Sequence, residues 1–145
     1  MFMDDITSSG AMPALEMTMR FAGARNRLLA HNIANADTPD FRPMDVSTAG
    51  FQRQLRDAVE ARRERTGGGH GNLRVESTRE VAVSATGRLE LRPRTPSPGV
   101  LGHDRNNTDM ERTVQALVEN VGVFRTSTDL LRSKYEMLRL AMMDR

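Results

Sequence analysis

Apolar residues are concentrated near the two ends of the chain. They gather before about residue 41 and after about residue 109, and the stretch between them holds most of the glycines and prolines. This pattern predicts a mainly α fold in which long N- and C-terminal helices form a coiled-coil-like hairpin around a loosely structured polar middle region. We divide the chain accordingly into segments 1–41, 42–105 and 106–145, and we expect the core to join the two ends.

The N-terminal segment carries one apolar stripe with a polar member. Pro13 suits the first turn of a helix, where its missing N–H needs no partner. The helix should end within residues 35–39, because Pro39 disfavours the helical conformation at Thr38. The stripe repeats at spacings of three and four residues, as a coiled-coil seam does, and consists of Met12, Leu15, Met19, Ala22, Asn26, Leu29 and Ile33. Packing on the chain's own core and packing on a partner helix remain equally open here.

The C-terminal segment has a longer and more regular stripe. Thr108 and Glu111 have the spacing of a capping box, in which each side chain satisfies a free backbone N–H at the start of a helix. A strict period of 3.5 residues favours a partner helix over a simple core position. The stripe consists of Met110, Val114, Leu117, Val121, Phe124, Thr128, Leu131, Tyr135, Leu138 and Met142. We expect the polar members Asn26 and Thr128 to set the register of the two stripes.

The middle region gives weaker signals. Phe51, Leu55 and their neighbours predict a short amphipathic helix over residues 51–63, followed by a glycine-rich loop over residues 66–71. Alternation of Val81, Val83 and Ala85 and then of Leu89 and Leu91 predicts a small β hairpin around residues 86–87. Residues 92–99 contain several prolines and predict an extended, exposed strap.

Composition restricts the class of protein. The chain has 145 residues, about one domain, and only 38% of them are hydrophobic. It has no cysteine, which excludes disulfides and thiolate chemistry. Lys and Arg number 21 against 19 Asp and Glu, without a long run of one sign, so nucleic acid is not indicated. Neither a secretory signal nor an apolar stretch of about 18 residues is present, so export would have to keep the N-terminus.

No arrangement of residues indicates catalysis or cofactor binding. His31, His70 and His103 lack companions at metal-ligand spacing, and we expect them to be solvated. Asp37 and Asp40 flank Pro39, where a helix-ending turn explains them better than a catalytic carboxylate pair. The glycine-rich loop lacks the spacing of a phosphate-binding loop. The sequence therefore predicts neither an enzyme nor a cofactor or metal site.

Two stretches carry a resemblance to a known family. Residues 29–41 resemble the N-A-N-x-x-T-P-G-[YF] signature of bacterial flagellar rod, hook and related axial proteins, and their form is closest to that of basal-body rod proteins. The matching positions are Asn32, Ile33, Ala34, Asn35, Thr38, Pro39 and Phe41. Asp40 stands where the family has glycine, so this residue is expected to adopt a left-handed conformation. At the other end, residues 107–111, 116–120 and 134–142 resemble the C-terminal helix of the same proteins, with Thr113 and Val114 replacing the common Glu-Met pair.

The resemblance implies a structural subunit of the proximal rod of the flagellar basal body. Such a subunit would be exported through the flagellar type III apparatus without a cleavable signal peptide and would lie in the rod within the periplasmic space. It would polymerise through its terminal helices around an axial channel, as part of the drive shaft for motility. The implied partners are copies of itself, other rod subunits, the basal-body adaptor and membrane-ring proteins, and the export apparatus, with no nucleic acid and no small-molecule substrate. The alternative is a free-standing dimeric coiled-coil adaptor.

Overall fold

Three helices and a two-stranded sheet make up the described part of the chain. The computed structural model describes residues 10–69, 71–84, 86–95 and 110–143. The elements follow one another as α1 (Met12–Ala34), α2 (Thr48–Thr66), β1 (Val81–Val83), β2 (Leu89–Leu91) and α3 (Met110–Met143). The prediction of a mainly helical fold with two long terminal helices and a small sheet between them is confirmed.

Local sequence signals explain where the shorter helix begins and ends. The Ser47 side chain accepts a hydrogen bond of 2.9 Å from the Gly50 N–H and caps the start of α2. Gly67 ends the helix in the left-handed conformation, with φ of 67°, and its N–H bonds to the Arg63 carbonyl. The helix predicted over residues 51–63 is therefore present, and these two caps make it longer at both ends.

The predicted hairpin is also present. Strands β1 and β2 pair antiparallel, with Val81 opposite Leu91 and Val83 opposite Leu89. Gly87 closes the turn with φ of 74°, and its N–H bonds to the Ser84 carbonyl. Ala85, which we expected to extend the first strand, lies outside the described residues. The strap that follows β2 is tied down at its start, because Arg94 and Asp45 exchange both backbone hydrogen bonds at 2.9 Å; residues 96–99 of the strap also lie outside the described ranges.

The buried core joins α1 to the middle region. Phe21 of α1 stacks on Phe51 of α2 with ring centroids 4.0 Å apart, and Val81 of β1 is 1% exposed beside them. Met17 and Val46 complete this cluster. The expectation that the core joins the two terminal helices is therefore met only in part, because α3 packs on α1 but contributes no residue to this cluster. The middle region contributes a helix and a sheet that cover one side of α1, and α3 lies outside this cluster.

Helices α1 and α3 pack along one another in an antiparallel hairpin. Asn120 contacts Ala22 and Asn26, whereas Tyr135 reaches back to Glu16. At 1.5 Å per residue α3 is about 51 Å long and α1 about 35 Å. The C-terminal end of α3 therefore extends about one to two turns beyond the start of α1. No helix within the described ranges has both the length and the apolarity needed to cross a membrane.

Candidate assembly site

The turn that follows α1 is organised by an asparagine of the signature. Asn32 is 2% exposed, and its side-chain amide pairs with the backbone of Met44. Its Nδ2 donates to the Met44 carbonyl at 2.7 Å, and its Oδ1 accepts from the Met44 N–H at 3.1 Å. The amide thus replaces a missing backbone partner and holds residue 44 against the last turns of α1. Sequence reasoning placed Asn32 in the signature without giving it this contact.

The second asparagine of the signature ends the helix. Asn35 bonds to the His31 carbonyl through its backbone N–H and through its side-chain Nδ2, at 3.2 Å and 2.8 Å. The turn then continues through Thr38, whose N–H bonds to the Asn35 carbonyl and whose carbonyl accepts from the Phe41 N–H. These bonds satisfy carbonyl groups that the end of a helix leaves without partners. The signature residues Asn32, Asn35, Thr38 and Phe41 therefore build one helix-ending turn.

Asp40 has the backbone conformation that its position in the signature predicts. Its φ is 58°, in the left-handed region that glycine adopts without strain. Among non-glycine residues of the described ranges it is alone in having a positive φ. Pro39 precedes it on the exposed surface of the turn, and the Phe41 ring after it meets the exposed His31 ring edge-on, with centroids 5.8 Å apart.

An ion pair fixes the chain after the turn. Both carboxylate oxygens of Asp45 accept from the Arg25 guanidinium, at 2.9 Å and 2.7 Å. This two-pronged geometry is specific for arginine and gives more orientation than a single contact. Arg25 lies on α1 and Asp45 on the returning chain, so the pair and the Asn32 amide hold the same segment at two points.

Polar side chains set the register between the terminal helices. Asn120 is 4% exposed, and its Nδ2 donates at 2.7 Å both to the Ala22 carbonyl and to Asn26 Oδ1. Asn26 thus lies at a polar contact between the helices, where the stripe pattern placed it. Thr128 makes no such contact between the helices, because its hydroxyl donates to the Phe124 carbonyl of its own helix. The buried residues Asn120 and Ser127 were not part of the predicted stripe.

Close packing accompanies this polar contact. A Cβ at Gly23 would lie 3.3 Å from the Phe124 ring, so glycine permits the close approach of the two helices at this level. Leu131 is 5% exposed on the same side of α3. Farther along, the Tyr135 hydroxyl donates to Glu16 at 3.1 Å. Partial removal of the hydroxyl from water and this hydrogen bond to Glu16 both raise the Tyr135 pKa.

The predicted stripes are only partly the buried ones. In α1 every member is buried or half-buried, but Met17 and Phe21 are buried as well and belong to a second apolar stripe that faces the middle region. In α3 the half-buried or buried members are Leu117, Val121, Phe124, Thr128, Leu131 and Leu138. Met110, Val114, Tyr135 and Met142 are exposed in the single chain, although the Tyr135 hydroxyl contacts Glu16 of α1, so their place in a seam with a partner helix stays a prediction. Thr108 of the expected cap lies outside the described residues, and Glu111 is exposed in the first turn.

Exposed large apolar side chains of the described residues all lie on α3. They are Met110, Val114, Val118, Val123, Leu130, Tyr135, Met137, Leu140, Met142 and Met143, between 39% and 72% exposed. Three of them, Val123, Leu130 and Met137, recur every seven residues, and we call them the lateral stripe. Because consecutive residues are about 100° apart around a helix, Leu130 lies about a quarter turn from the buried Leu131. The lateral stripe therefore runs beside the contact with α1 and is not covered by it.

The described part of the chain offers little for catalysis. No group of three or more histidine, aspartate or glutamate residues within it has the arrangement of a metal site. His31 is exposed and contacts Asn35 and the Phe41 ring, while His70 and His103 lie outside the described residues. The features that stand out are the helix-ending turn, the polar register contact and the uncovered apolar side chains of α3. All three concern how helices pack.

Comparison with known proteins finds relatives along most of the chain. The chain is 28% identical over 122 residues to the flagellar basal body rod protein FlgB of Yersinia enterocolitica, covering 84% of this chain and 85% of the relative. It is 30% identical over 111 residues to FlgB of Proteus mirabilis strain HI4320, covering 76% and 77%. It is 33% identical over 98 residues to FlgB of Salmonella typhimurium strain LT2, covering 66% of each. No family model matches the chain.

Proposed function

The chain belongs to the family of FlgB flagellar basal body rod proteins, and from this premise we propose that it is a non-enzymatic subunit of the proximal rod that polymerises through its terminal helices. The rod would act as part of the drive shaft for flagellar motility. The supporting observation is the distribution of exposed large apolar side chains, all of which, among the described residues, lie on α3. Apolar surface of this extent along one helix marks an interaction site rather than an ordinary surface.

The lateral stripe supplies the contact with a neighbouring subunit. Val123, Leu130 and Met137 are 45%, 48% and 49% exposed, and their seven-residue spacing matches the repeat of a helix that packs against another helix. Burial of apolar area contributes about 25 cal/mol per Å². A neighbouring helix that covers the stripe therefore stabilises the assembled state without any new fold in the subunit.

The remaining parts of the proposal concern location and partners. The subunit would reach the periplasmic space through the flagellar type III apparatus, and it would contact copies of itself, other rod subunits and the basal-body adaptor and membrane-ring proteins. The same uncovered apolar surface supports these contacts. Because export requires an unfolded chain, the loss of an assembly contact should leave the secreted amount unchanged.

The test compares two charged substitutions on α3. Leu130→Asp places an unpaired charge in the lateral stripe, whereas Arg132→Asp changes an exposed position on another side of the same helix. Each variant is expressed in a strain that lacks the parent gene, and swimming, incorporation into purified basal bodies and secreted amount are measured. Leu130→Asp should be secreted but not incorporated, and the cells should not swim; Arg132→Asp should resemble the parent.

Several outcomes would count against the proposal. Normal swimming and incorporation of Leu130→Asp would show that the lateral stripe makes no contact in the rod. Absence of the parent chain from basal bodies would remove the proposed function as a whole. A stable dimer of the parent chain in sedimentation at low concentration would instead favour the free-standing coiled-coil adaptor.

A further inference from the structure

The side of α3 turned away from α1 has apolar residues only near its ends. Following this side in steps of three or four residues gives Val114, Val118, Gly122, Arg125, Asp129, Arg132, Glu136, Leu140 and Met143. We call Val114 and Val118 the start patch and Leu140 and Met143 the end patch. All four side chains are exposed, with Val118 at 67% and Leu140 at 64%. The residues between the patches are charged, apart from one glycine.

The two patches differ in charge. The first ten residues of α3, 110–119, contain two glutamates and one arginine, whereas its last ten, 134–143, contain two basic residues and one glutamate. The start of the helix is therefore acidic and its end is basic. A start patch would repel another start patch, and an end patch would repel another end patch, whereas a start patch and an end patch attract one another.

We propose that the end patch of one copy docks on the start patch of the next copy, so that subunits join end to end through α3. This inference rests on the proposed function and names the contact along the polymer, in addition to the lateral stripe. A contact between two different patches of the same chain is heterologous, and its repetition yields an open chain of copies. The patches hold few side chains, far less than the roughly 1,200–2,000 Å² buried in a stable complex, so this contact needs support from the lateral stripe.

The absence of cysteine from the sequence makes a direct test possible. A chain carrying both Val118→Cys and Leu140→Cys should form a ladder of covalent oligomers under mild oxidation at rising protein concentration. The ladder can only be intermolecular, because the two positions are about 33 Å apart along the helix and a disulfide needs Cα atoms within about 7 Å. A chain carrying Arg132→Cys and Leu140→Cys is the matched control and should form no ladder above collisional dimers.

The single variants determine which patches meet. Val118→Cys alone and Leu140→Cys alone should remain monomeric, and their equimolar mixture should give dimers and nothing larger. Dimers of a single variant that form as readily as in the mixture would show that a patch meets itself, and a double variant that forms no more oligomers than the control would overturn the proposal.

Two further results separate this proposal from its alternatives. If Val118→Asp and Leu140→Asp lower the thermal stability of the monomer much more than Arg125→Asp, at an exposed position of the same helix, does, a segment of the same chain covers the patches, and the proposal fails. If the parent chain is found in basal bodies while no ladder forms, only the end-to-end contact is wrong and the proposed function stands. If the parent chain is absent from basal bodies while the ladder forms, the proposed function is wrong and the end-to-end contact stands.

Discussion

Replacement of Asn32 tests whether the signature asparagine holds the returning chain against α1. Asn32→Ala removes the two hydrogen bonds to Met44, which measure 2.7 Å and 3.1 Å, and leaves both backbone groups of Met44 without this partner. A buried backbone group that loses its partner costs about 1–3 kcal/mol. Met44 is half-buried, so water replaces part of the loss. We therefore expect a decrease of about 2–4 kcal/mol in the free energy of unfolding.

The neighbouring asparagine is the matched control. Asn35 belongs to the same signature, but its side-chain bond to the His31 carbonyl lies at the exposed end of the helix. Asn35→Ala should cost about 0.5–1 kcal/mol, as the loss of a typical exposed hydrogen bond does. Chemical denaturation of the parent chain and the two variants, followed by circular dichroism, measures both values. An equal or larger loss for Asn35→Ala would refute the role assigned to Asn32.

An isosteric variant separates the hydrogen bonds from the volume of the side chain. In Asn32→Asp the second oxygen would face the Met44 carbonyl, so a donor is replaced by an acceptor while the shape is kept. At neutral pH this variant should be at least as unstable as Asn32→Ala. As the pH falls, the protonated carboxyl can donate to the Met44 carbonyl, and the stability relative to the parent at the same pH should recover. A loss that is independent of pH would contradict the assigned hydrogen bond.

Three further predictions concern α3 and its contact with α1. Gly122→Ala should raise the free energy of unfolding by about 0.5–1 kcal/mol, because the added Cβ meets open space and alanine favours the helix. Gly23→Ala should gain less or lose stability, because its Cβ would press on the Phe124 ring. Thermal unfolding of the two variants measures the difference. Tyr135 is the only tyrosine in the chain, and its titration, followed by ultraviolet absorbance, should show a pKa above the usual tyrosine value. Because the pKa is raised in the folded state, the contribution of Tyr135 to stability should be present at neutral pH and should disappear as the pH rises through the folded-state pKa. Leu131→Ala should lower the free energy of unfolding, measured with denaturant, by about 2–5 kcal/mol. Substitution of the exposed neighbour, Arg132→Ala, should lower it by only about 0–1 kcal/mol. Similar losses for both variants would show that the wrong side of α3 has been placed against α1.

Local signals in the sequence were sufficient to predict the elements. Pro13 lies in the first turn of α1, Gly87 lies in the hairpin turn, and the periodicity of the two ends matches the long helices. Asp40 was expected in the left-handed conformation because of its place in the signature, and its φ is 58°. These features depend on residues close together in the chain, so the sequence alone determines them.

Contacts between distant residues could not be predicted in the same way. Asn32 meets Met44 twelve residues away, and Asn120 meets Ala22 from the opposite end of the chain. Periodicity identifies an apolar side of a helix but does not say which neighbour covers it. Met17 and Phe21 are visible in the sequence as part of a second stripe on α1, yet only the structure shows that the middle region packs on that stripe.

The exposure of Val114 in the α3 stripe has a geometric reason. A straight helix drifts by about 20° per heptad relative to a strict 3.5-residue repeat. Over the seventeen residues between Val114 and Leu131 this drift amounts to about 50°, and Val114 is 42% exposed. Tyr135 is exposed for a different reason. It lies beside the first turns of α1, and α1 offers its ring little further cover. A regular heptad stripe thus predicts a packing partner but does not require that one short helix covers all of it.

The distribution of buried groups indicates what holds α3 in the single chain. Leu131 is its one buried apolar residue within the described range, and the other buried residues, Asn120 and Ser127, are polar. Buried polar contacts specify register but contribute only about 0.5–1.5 kcal/mol each. The core of Phe21, Phe51 and Val81 stabilises α1 and the middle region without α3. The buried polar contacts therefore fix the position of α3 along α1. In the proposed rod, neighbouring copies would cover most of the apolar side chains that α3 exposes, and their burial would add to the free energy that fixes this helix.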